Sequence, residues 1–308
     1  MDFTRFKRLL ARTAATSLTG VSVAACSSGL HFVNLTVPSG SYSLSADIPY
    51  GAQPRQKLDI YRPVSAETGV SSGQKPVVIF FYGGSWKNGE RSQYRFIGEA
   101  LTRRGFLVVV PDYRLYPEIR FPAFMEDAAK SVRWTRDSIA RFGGDRSRIF
   151  IAGHSAGAHI AGLLAVDPRY LKAEGIEPKI LCGVIGLAGP YAFDPLQFRS
   201  TRAVFGHLKD RDEARPIARL TGSAPPFLLL HGADDRTVLP QNSQAFADAL
   251  HRQKSTATTE IIPETGHIGL LLSLARPFEG TSPIADRMAG FINAHCWSAS
   301  AENTQVPP

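Results

Sequence analysis

The sequence predicts an α/β fold, in which a mostly parallel sheet is covered by helices on both faces. Short runs rich in β-branched and aromatic residues alternate along the chain with amphipathic segments of helical spacing. Several of the short runs are apolar throughout, which is typical of strands that are buried on both faces. The 308 residues are 44% hydrophobic and 20% charged, so the chain has enough apolar material for a sizeable core.

The alternation predicts each element in turn. We predict strands over residues 57–61, 76–82, 106–110, 148–153, 180–187, 227–231 and 258–262. We predict helices over residues 92–104, 124–142, 238–251 and 284–295, and a further helix that begins after Ser155. Residues 192–226 interrupt the alternation, because they are polar, rich in arginine and without a clear strand. We expect them to form a cap or a long loop beside the strand ends.

The first 25 residues differ from the rest and predict an export signal. A basic stretch over residues 1–12 precedes a weakly apolar stretch of small residues over 13–25. The sequence Val23-Ala24-Ala25-Cys26 resembles the lipobox of bacterial lipoproteins, in which the cysteine becomes lipidated. We therefore expect a membrane-anchored periplasmic lipoprotein. Cleavage by an ordinary signal peptidase, which gives a periplasmic or secreted protein, and no export at all are the alternatives.

One α/β domain over residues 57–297 accounts for most of the chain. We predict an N-terminal extension over residues 26–56 and a flexible tail over residues 298–308. The net charge of +8 does not predict nucleic-acid binding, because the basic residues beyond the signal segment form no cluster. We expect membrane contact only through a lipidated Cys26, and the oligomeric state stays open.

The chain has three cysteines, and two of them, Cys182 and Cys296, lie beyond the signal segment. Neither has the spacing of a metal site, so we expect no metal ion and no cofactor. Cys182 lies within the apolar run over residues 180–187, which predicts a buried structural thiol. Whether Cys182 pairs with Cys296 stays open.

A catalytic serine is predicted at Ser155, within the sequence Gly153-His154-Ser155-Ala156-Gly157. This is the G-x-S-x-G pattern, and it lies between a predicted strand and a predicted helix. In that context the pattern forms a strained turn that lifts the serine hydroxyl clear of the sheet. The alternative is a structural turn that is merely rich in glycine.

The acid and the base of such a site follow the serine in the order Asp or Glu, then His. His267 lies in a turn just past the last predicted strand, and we predict that it is the base. Asp235 matches the pattern H-G-x-x-D-x-x-V and is the predicted acid, with Asp234 and Asp194 as alternatives. The other histidines after Ser155 are His159, His207, His231, His251 and His295. We expect His159 and His231 to pack in the core, and His251 and His295 to lie near the ends of helices.

Two backbone segments are predicted to bind the oxyanion of the reaction. The N–H of Ala156, which follows the serine, supplies one donor. Gly84 and Ser85, in the glycine turn after residues 76–82, supply the other, and a plain turn is the alternative. Five neighbouring residues are weaker candidates for the substrate pocket: Tyr82, Trp86, His154, Tyr191 and Phe193.

Together these motifs resemble the carboxylesterase branch of the α/β-hydrolase superfamily. The resemblance is to hormone-sensitive-lipase-like, feruloyl-esterase-like and prenylcysteine-methylesterase-like enzymes. The chain has their H-G-G-x-W loop, with Tyr82 in the place of the histidine, and their G-H-S-A-G-A-H over residues 153–159. It also has D-Y-R-L over residues 112–115 and G-G-D over residues 143–145. The resemblance implies the α/β-hydrolase fold, with about eight strands and a small cap.

The resemblance also implies a function. It implies a serine carboxylic-ester hydrolase that acts on small-molecule esters through an acyl-enzyme. We expect short-chain or aryl esters, because residues 192–226 are charged and offer no long apolar stripe that could line a deep channel. An arylformamidase-like amide hydrolase is the alternative enzyme, since that family shares the two loop patterns. A non-catalytic binding protein with this fold is the alternative outside the enzymes.

Overall fold

A computed structural model describes residues 30–64, apart from residues 31 and 39, and residues 73–295. The predicted signal segment, Cys26, the third cysteine Cys296 and the predicted tail lie outside the described residues. Within the described ranges, no helix is both long enough and apolar enough to span a membrane.

Eight strands form one sheet in the spatial order β1-β2-β4-β3-β5-β6-β7-β8. They are β1 Tyr42–Pro49, β2 Lys57–Pro63, β3 Lys75–Phe81, β4 Leu107–Pro111, β5 Gly144–His154, β6 Leu181–Leu187, β7 Phe227–Gly232 and β8 Ala257–Ile262. β2 pairs antiparallel with both β1 and β4, and all other neighbours pair in parallel. The prediction of a mostly parallel sheet of about eight strands is confirmed.

The edge strand β1 is the strand that the sequence does not predict. Its residues are exposed or half-buried, and they include no continuous apolar run. An edge strand has only one neighbour, so it needs no such run. β1 lies within the predicted extension, and its pairing with β2 from Tyr42 to Pro49 makes this part of the extension a part of the sheet.

Helices connect the strands and pack in two groups. They are α1 Arg95–Thr102, α2 Ala123–Ser138, α3 Ala156–Val166, α4 Pro168–Ala173, α5 Arg199–Phe205, α6 Pro216–Arg219, α7 Gln241–Arg252, α8 His267–Leu272 and α9 Ile284–His295. α1 and α9 contact each other, whereas α2, α3 and α4 form a second group; α6 joins this group through α3, and α7 joins it through α6. The central strands between these helices are fully buried over most of their length, for example Val78, Ile79 and Phe80 of β3.

The predicted site residues lie in loops after the carboxyl ends of parallel strands. Ser155 follows β5, Asp235 lies in the loop after β7, and His267 lies after β8. In a parallel sheet these loops meet along one edge, where ligands of open α/β sheets bind. Residues 192–226 follow β6 at the same edge and contain α5, α6 and a 3₁₀ turn over Arg211–Ala214, but no strand.

Cys182 differs from the prediction of a buried thiol. It is half-buried, and its Sγ lies 3.4 Å from the carbonyl oxygen of Ser147. The apolar run predicts burial for every member, but Cys182 is only the second residue of β6. It lies at the amino end of the strand, where the sheet meets its surface.

Candidate active site

Ser155 forms a strained turn between β5 and α3. Its backbone has φ 54° and ψ −120°, in a region that L-residues rarely adopt. The turn is held on both sides, because the N–H of Ser155 donates to the carbonyl of Leu187 at 2.9 Å and its own carbonyl accepts from the N–H of His159 at 3.0 Å. Such a turn presents the side chain of its central residue at the end of the strand.

The two glycines around Ser155 are required by the closeness of the backbone. A Cβ atom at Gly153 would lie 2.3 Å from the carbonyl oxygen of Gly157. A Cβ atom at Gly157 would lie 1.9 Å from the carbonyl oxygen of Phe81. Both contacts are with backbone, which cannot move aside as a flexible side chain can. Gly153 is therefore explained by the closure of the turn on itself, and Gly157 by the packing of the turn against β3.

Asp235 and His267 are in direct contact. Nδ1 of His267 lies 2.7 Å from Oδ2 of Asp235, so the imidazole donates this hydrogen bond to the carboxylate. The other oxygen, Oδ1, accepts the backbone N–H groups of Thr237 and Val238, each at 2.9 Å. These bonds fix both the position and the rotation of the carboxylate.

The carboxylate of Asp235 is ionised at neutral pH. Burial alone would raise its pKa, but the hydrogen bonds from His231 and His267 and the charge of His267 hold the pKa below its ordinary value. The two alternative acids do not contact His267. Asp234 is exposed, and Asp194 forms an ion pair with Arg211 at 2.7 Å.

His154 places His267 beside the serine turn. Nε2 of His154 lies 3.0 Å from the backbone carbonyl oxygen of His267, and the centres of the two rings are 4.7 Å apart. Burial and the nearby His267 lower the pKa of His154 to about 3, so the ring is neutral and Nε2–H donates to that carbonyl. His154 is only 2% exposed, so it supports the segment around His267 and does not line an open pocket as predicted.

The glycine loop after β3 lies against the serine turn. A Cβ atom at Gly83 would lie 3.1 Å from Cβ of Ser155. Gly84 has φ +125°, and a Cβ there would lie 2.0 Å from the carbonyl oxygen of Asn88. Ser85 also has a positive φ, 55°. Among the described residues, none accepts a hydrogen bond from the N–H groups of Gly83, Gly84 or Ser85, which leaves them free for a ligand.

Gly83 is a residue that the sequence analysis does not name. The prediction places the second oxyanion donor on Gly84 and Ser85, whereas a Cβ atom added to Gly83 is the one that would contact the Ser155 side chain, at 3.1 Å from its Cβ. The N–H of Ala156 lies in the first turn of α3, where helical N–H groups have no partner within the helix. The arrangement therefore brings candidate donors from both predicted segments to one place.

Tyr82 supports this loop and does not line a pocket, contrary to the prediction. Its side chain is fully buried, and its hydroxyl donates to Oδ1 of Asp112 at 2.8 Å. Arg55 joins the two ends of the loop, since it donates to the Tyr82 hydroxyl at 3.0 Å and to the carbonyl of Gly89 at 2.7 Å. The hydroxyl of Tyr113 donates to the carbonyl of Tyr82 at 2.8 Å.

Trp86 and Phe193 belong to an aromatic cluster beside the serine turn. The Trp86 ring lies 5.0 Å from His159, 5.9 Å from Phe193 and 4.8 Å from Phe205, centre to centre. Trp86 is 3% exposed and Phe193 is half-buried. His159 is one helical turn from Ser155, so the cluster closes the space next to the turn.

Tyr191 does not belong to this cluster. It is fully buried and stacks on Phe246 of α7, with ring centres 4.8 Å apart. A Cβ atom at Gly186 would lie 1.7 Å from the Tyr191 hydroxyl, so the ring points back over β6. Its prediction as a pocket residue is wrong because of this direction, which brings the ring into the core.

The five other histidines that follow Ser155 each contact a backbone carbonyl oxygen. Nε2 of His159 lies 2.7 Å from the carbonyl oxygen of Ala214, and burial lowers the pKa of His159 to about 4. His207, His251 and His295 each contact one carbonyl oxygen. His231 contacts the carbonyl oxygen of Val238 and, in addition, Oδ2 of Asp235. In the part of the chain that the structure describes, no three His, Cys, Asp or Glu side chains are grouped as a metal ion would need.

Comparison with known proteins assigns the family. The BD-FAE family model matches residues 58–180, and the prolyl oligopeptidase family model matches residues 123–277, half of the chain. Esterase LipC of Mycobacterium tuberculosis is 33% identical over 267 residues, which cover 79% of this chain and 63% of LipC. Isoprenylcysteine alpha-carbonyl methylesterase ICME of Arabidopsis thaliana is 31% identical over 290 residues, which cover 87% of this chain and 66% of that protein. The chain thus spans just under two thirds of the length of these relatives.

The fold has close counterparts among solved structures. The crystal structure of Esterase B from Lactobacillus rhamnosis matches with a TM-score of 0.76 at 20% identity, over 96% of this chain and 97% of that one. At this level of identity the likeness shows the fold. The chain belongs to the prolyl oligopeptidase family of the α/β-hydrolase superfamily, and its curated relatives assign it to the carboxylesterase branch of that superfamily.

Proposed function

We propose that this protein hydrolyses small-molecule carboxylic esters, with Ser155 as nucleophile, His267 as general base and Asp235 as the acid that orients the base. The observation that carries the proposal is the 2.7 Å contact between His267 Nδ1 and Asp235 Oδ2, beside the strained turn of Ser155. The ionised carboxylate keeps the proton of His267 on Nδ1 and leaves Nε2 to accept the serine proton. The names of the relatives, an esterase and a methylesterase, support the same reaction class.

The first half-reaction forms an acyl-enzyme. Oγ of Ser155 attacks the ester carbonyl carbon while Nε2 of His267 takes the hydroxyl proton. The resulting tetrahedral intermediate carries a negative charge on the former carbonyl oxygen. When it collapses, the bond to the alcohol oxygen breaks and His267 returns its proton to that oxygen. The alcohol leaves, and the acyl group remains as an ester of Ser155.

The second half-reaction uses water in the place of Ser155. Nε2 of His267 takes a proton from the water while the water oxygen attacks the acyl carbon. The second tetrahedral intermediate collapses with breakage of the bond to Oγ, and His267 returns the proton to Ser155. The carboxylic acid leaves. Asp235 stabilises the imidazolium in both halves without accepting the proton itself.

Backbone N–H groups are the proposed oxyanion donors. Ala156 supplies one donor, and the loop of Gly83, Gly84 and Ser85 supplies the other. Two observations support this proposal. A Cβ atom added to Gly83 would lie 3.1 Å from Cβ of Ser155, and none of the described residues accepts a hydrogen bond from these loop N–H groups. Losing one such donor typically slows a reaction of this kind about 10²- to 10³-fold.

Short-chain or aryl esters are the proposed substrates. The proposal is supported by the cluster of Trp86, His159, Phe193 and Phe205, whose bulky rings pack together one helical turn from Ser155. The segment that carries Phe205 is also rich in charged residues, such as Arg199, Arg202 and Arg211. A site for long acyl chains would need a broad apolar surface, since each buried methylene contributes about 0.8 kcal/mol.

An export signal with a lipid anchor at Cys26 is proposed from the sequence alone. Its support is the basic stretch, the small apolar stretch and Val23-Ala24-Ala25-Cys26. In a bacterial host the full chain is expected in the membrane fraction, because two or more acyl chains give stable anchoring. Cys26→Ala is expected to release the protein from membranes. If the variant partitions as the unchanged protein does, the lipid anchor is excluded.

A fluorophosphonate probe tests the serine assignment. The probe is expected to label the unchanged protein at one residue, to block hydrolysis of p-nitrophenyl acetate, and to leave Ser155→Ala unlabelled. Ser147→Ala is a matched control for labelling, because Ser147 is an exposed serine in the amino-terminal half of β5, away from the site. Labelling of Ser155→Ala to the same extent, or hydrolysis by that variant at more than a few per cent of the original rate, would exclude Ser155 as the nucleophile.

A further inference from the structure

The carboxylate of Asp235 has a second histidine partner. His231 is fully buried near the end of β7, and its Nε2 lies 3.2 Å from Oδ2 of Asp235. The same nitrogen lies 2.8 Å from the carbonyl oxygen of Val238. On the other side of the ring, Nδ1 lies 2.8 Å from the hydroxyl of Ser243, which is itself fully buried on α7.

The neighbours of His231 determine which of its ring nitrogens carries the proton. Both groups next to Nε2 are acceptors, one a carbonyl oxygen and the other a carboxylate oxygen, so Nε2 must be a donor. Nδ1 faces the Ser243 hydroxyl, which can donate to it. In a neutral ring Ser243 donates to Nδ1, and the single Nε2–H is shared between the Val238 carbonyl oxygen at 2.8 Å and Oδ2 of Asp235 at 3.2 Å.

Oδ2 of Asp235 therefore accepts a hydrogen bond from His267 and a second, shared N–H from His231. His231 and His267 approach this one oxygen, while the two backbone N–H groups of Thr237 and Val238 occupy Oδ1. A second donor withdraws negative charge from the oxygen that faces His267, and it also prevents that oxygen from moving away. Both effects act on the base through the acid.

We propose that His231, oriented by Ser243, is a positioning residue for the reaction, in that it holds Oδ2 of Asp235 against His267 and limits the basicity of that carboxylate. This inference rests on the ester hydrolysis proposed above. It adds two buried residues to the account of the site, neither of which contacts the substrate.

The charged and titratable groups around the carboxylate are few. His231 faces it from β7 and His267 faces it from the start of α8. His154, at the end of β5, lies against the His267 ring and is neutral because burial lowers its pKa to about 3. Arg236 is the next residue of the same loop and is exposed. The acid limb of the pH–rate profile therefore reports on His267 and its bond to Asp235.

Three variants test the inference: His231→Leu, His231→Gln and Ser243→Ala. The matched control is His251→Leu, which removes an exposed histidine that also contacts one carbonyl oxygen. We measure kcat and KM for p-nitrophenyl acetate between about pH 5 and pH 9. Rates are expressed per site titrated with a fluorophosphonate, so that misfolded protein does not count. Tm is measured for every variant.

His231→Leu is expected to lower kcat roughly 10- to 100-fold with little change in KM, because the acid is less well placed. It is also expected to move the acid limb upward by about half a pH unit or more, since a carboxylate with one donor fewer favours the protonated imidazole. His231→Gln keeps an N–H donor and is expected to restore most of kcat and the original acid limb. Ser243→Ala is expected to move the acid limb in the same direction by less.

A purely structural role for His231 predicts a different set of results. In that case Tm falls, but kcat per titrated site and the acid limb stay at the values of His251→Leu, and this result would overturn the inference. If His231→Leu does not fold, an unchanged acid limb in Ser243→Ala overturns it equally. A failure of the proposed function is distinguishable, because it would show as full activity in Ser155→Ala, whatever the His231 variants do.

Discussion

Replacing Asp235 with asparagine is expected to invert the tautomer of His267. Oδ1 of Asp235 accepts two backbone N–H groups at 2.9 Å, so the amide oxygen of an asparagine must occupy that position. The amide nitrogen then takes the place of Oδ2 and directs its hydrogens at Nδ1 of His267. The imidazole can accept only by moving its own proton to Nε2.

The expected loss follows from that change. A proton on Nε2 leaves His267 without a lone pair for the hydroxyl of Ser155, although the side chains barely move. Loss of the correct tautomer in a serine triad costs about 10⁴-fold in kcat. This corresponds to about 5.5 kcal/mol of transition-state stabilisation, at 1.36 kcal/mol for each factor of ten.

The assay is steady-state hydrolysis of p-nitrophenyl acetate by Asp235→Asn, with Asp234→Asn as the matched control. Asp234 is the neighbouring residue and is exposed, so the same chemical change there is expected to leave kcat within about two-fold. The reasoning is refuted if Asp235→Asn keeps more than about a tenth of the original kcat. It is also refuted if Asp234→Asn is the more damaging change.

Three further predictions follow from other parts of the structure. Gly157→Ala is expected to lower the free energy of unfolding by about 2–4 kcal/mol, because its Cβ would lie 1.9 Å from the Phe81 carbonyl oxygen. The control is Gly290→Ala on α9, where an added Cβ meets nothing within 4 Å. In denaturant titrations this control is expected to be neutral or stabilising by up to about 1 kcal/mol. Equal effects of the two substitutions would contradict the packing argument. In a series of p-nitrophenyl esters, kcat/KM is expected to peak at about two to four acyl carbons. In Trp86→Ala this peak is expected to move to longer acyl chains. A peak at about ten or more carbons in the unchanged protein would make it a lipase and contradict the prediction. The pKa of Asp235 is lower in the folded than in the unfolded state, so its ionised form stabilises the fold above about pH 4 and this contribution is lost as the pH falls further. The free energy of unfolding is therefore expected to fall more steeply below about pH 4 in the unchanged protein than in Asp235→Asn, and parallel curves would contradict the assignment.

The central strands are predictable because burial on both faces leaves a direct trace in the sequence. β3, β4, β6 and β7 are apolar over most of their length, as is the second half of β5, and each of these strands has two neighbours in the sheet. Neither β1 nor α8 is predicted from the sequence, and the reasons differ. β1 is too polar to show a buried run, whereas α8 follows Gly266 and contains Gly269, so its residues resemble a loop.

The positions of Ser155, Asp235 and His267 in the candidate site are predictable, because sequence motifs and the order of these residues along the chain identify them. The pairing of Asp235 with His267 is observed, and the catalytic roles of both residues stay predictions. The direction in which a side chain points cannot be predicted from these motifs. Tyr82 and Tyr191 follow strands at the right edge, but both rings turn into the core. The contact between His231 and Asp235 is also not predicted from the sequence. The spacing of the two residues in the pattern H-G-x-x-D is a signal that could indicate this contact.

The acyl-enzyme at Ser155 is the most direct test of the account. The protein is mixed with p-nitrophenyl acetate, quenched in acid during turnover, digested and analysed by mass spectrometry. The account predicts an acetyl group on the peptide that contains Ser155, a burst of p-nitrophenol equal to the number of active sites, and neither in Ser155→Ala. Steady release of product without acetylation of Ser155, or acetylation of another residue at the rate of turnover, would contradict it.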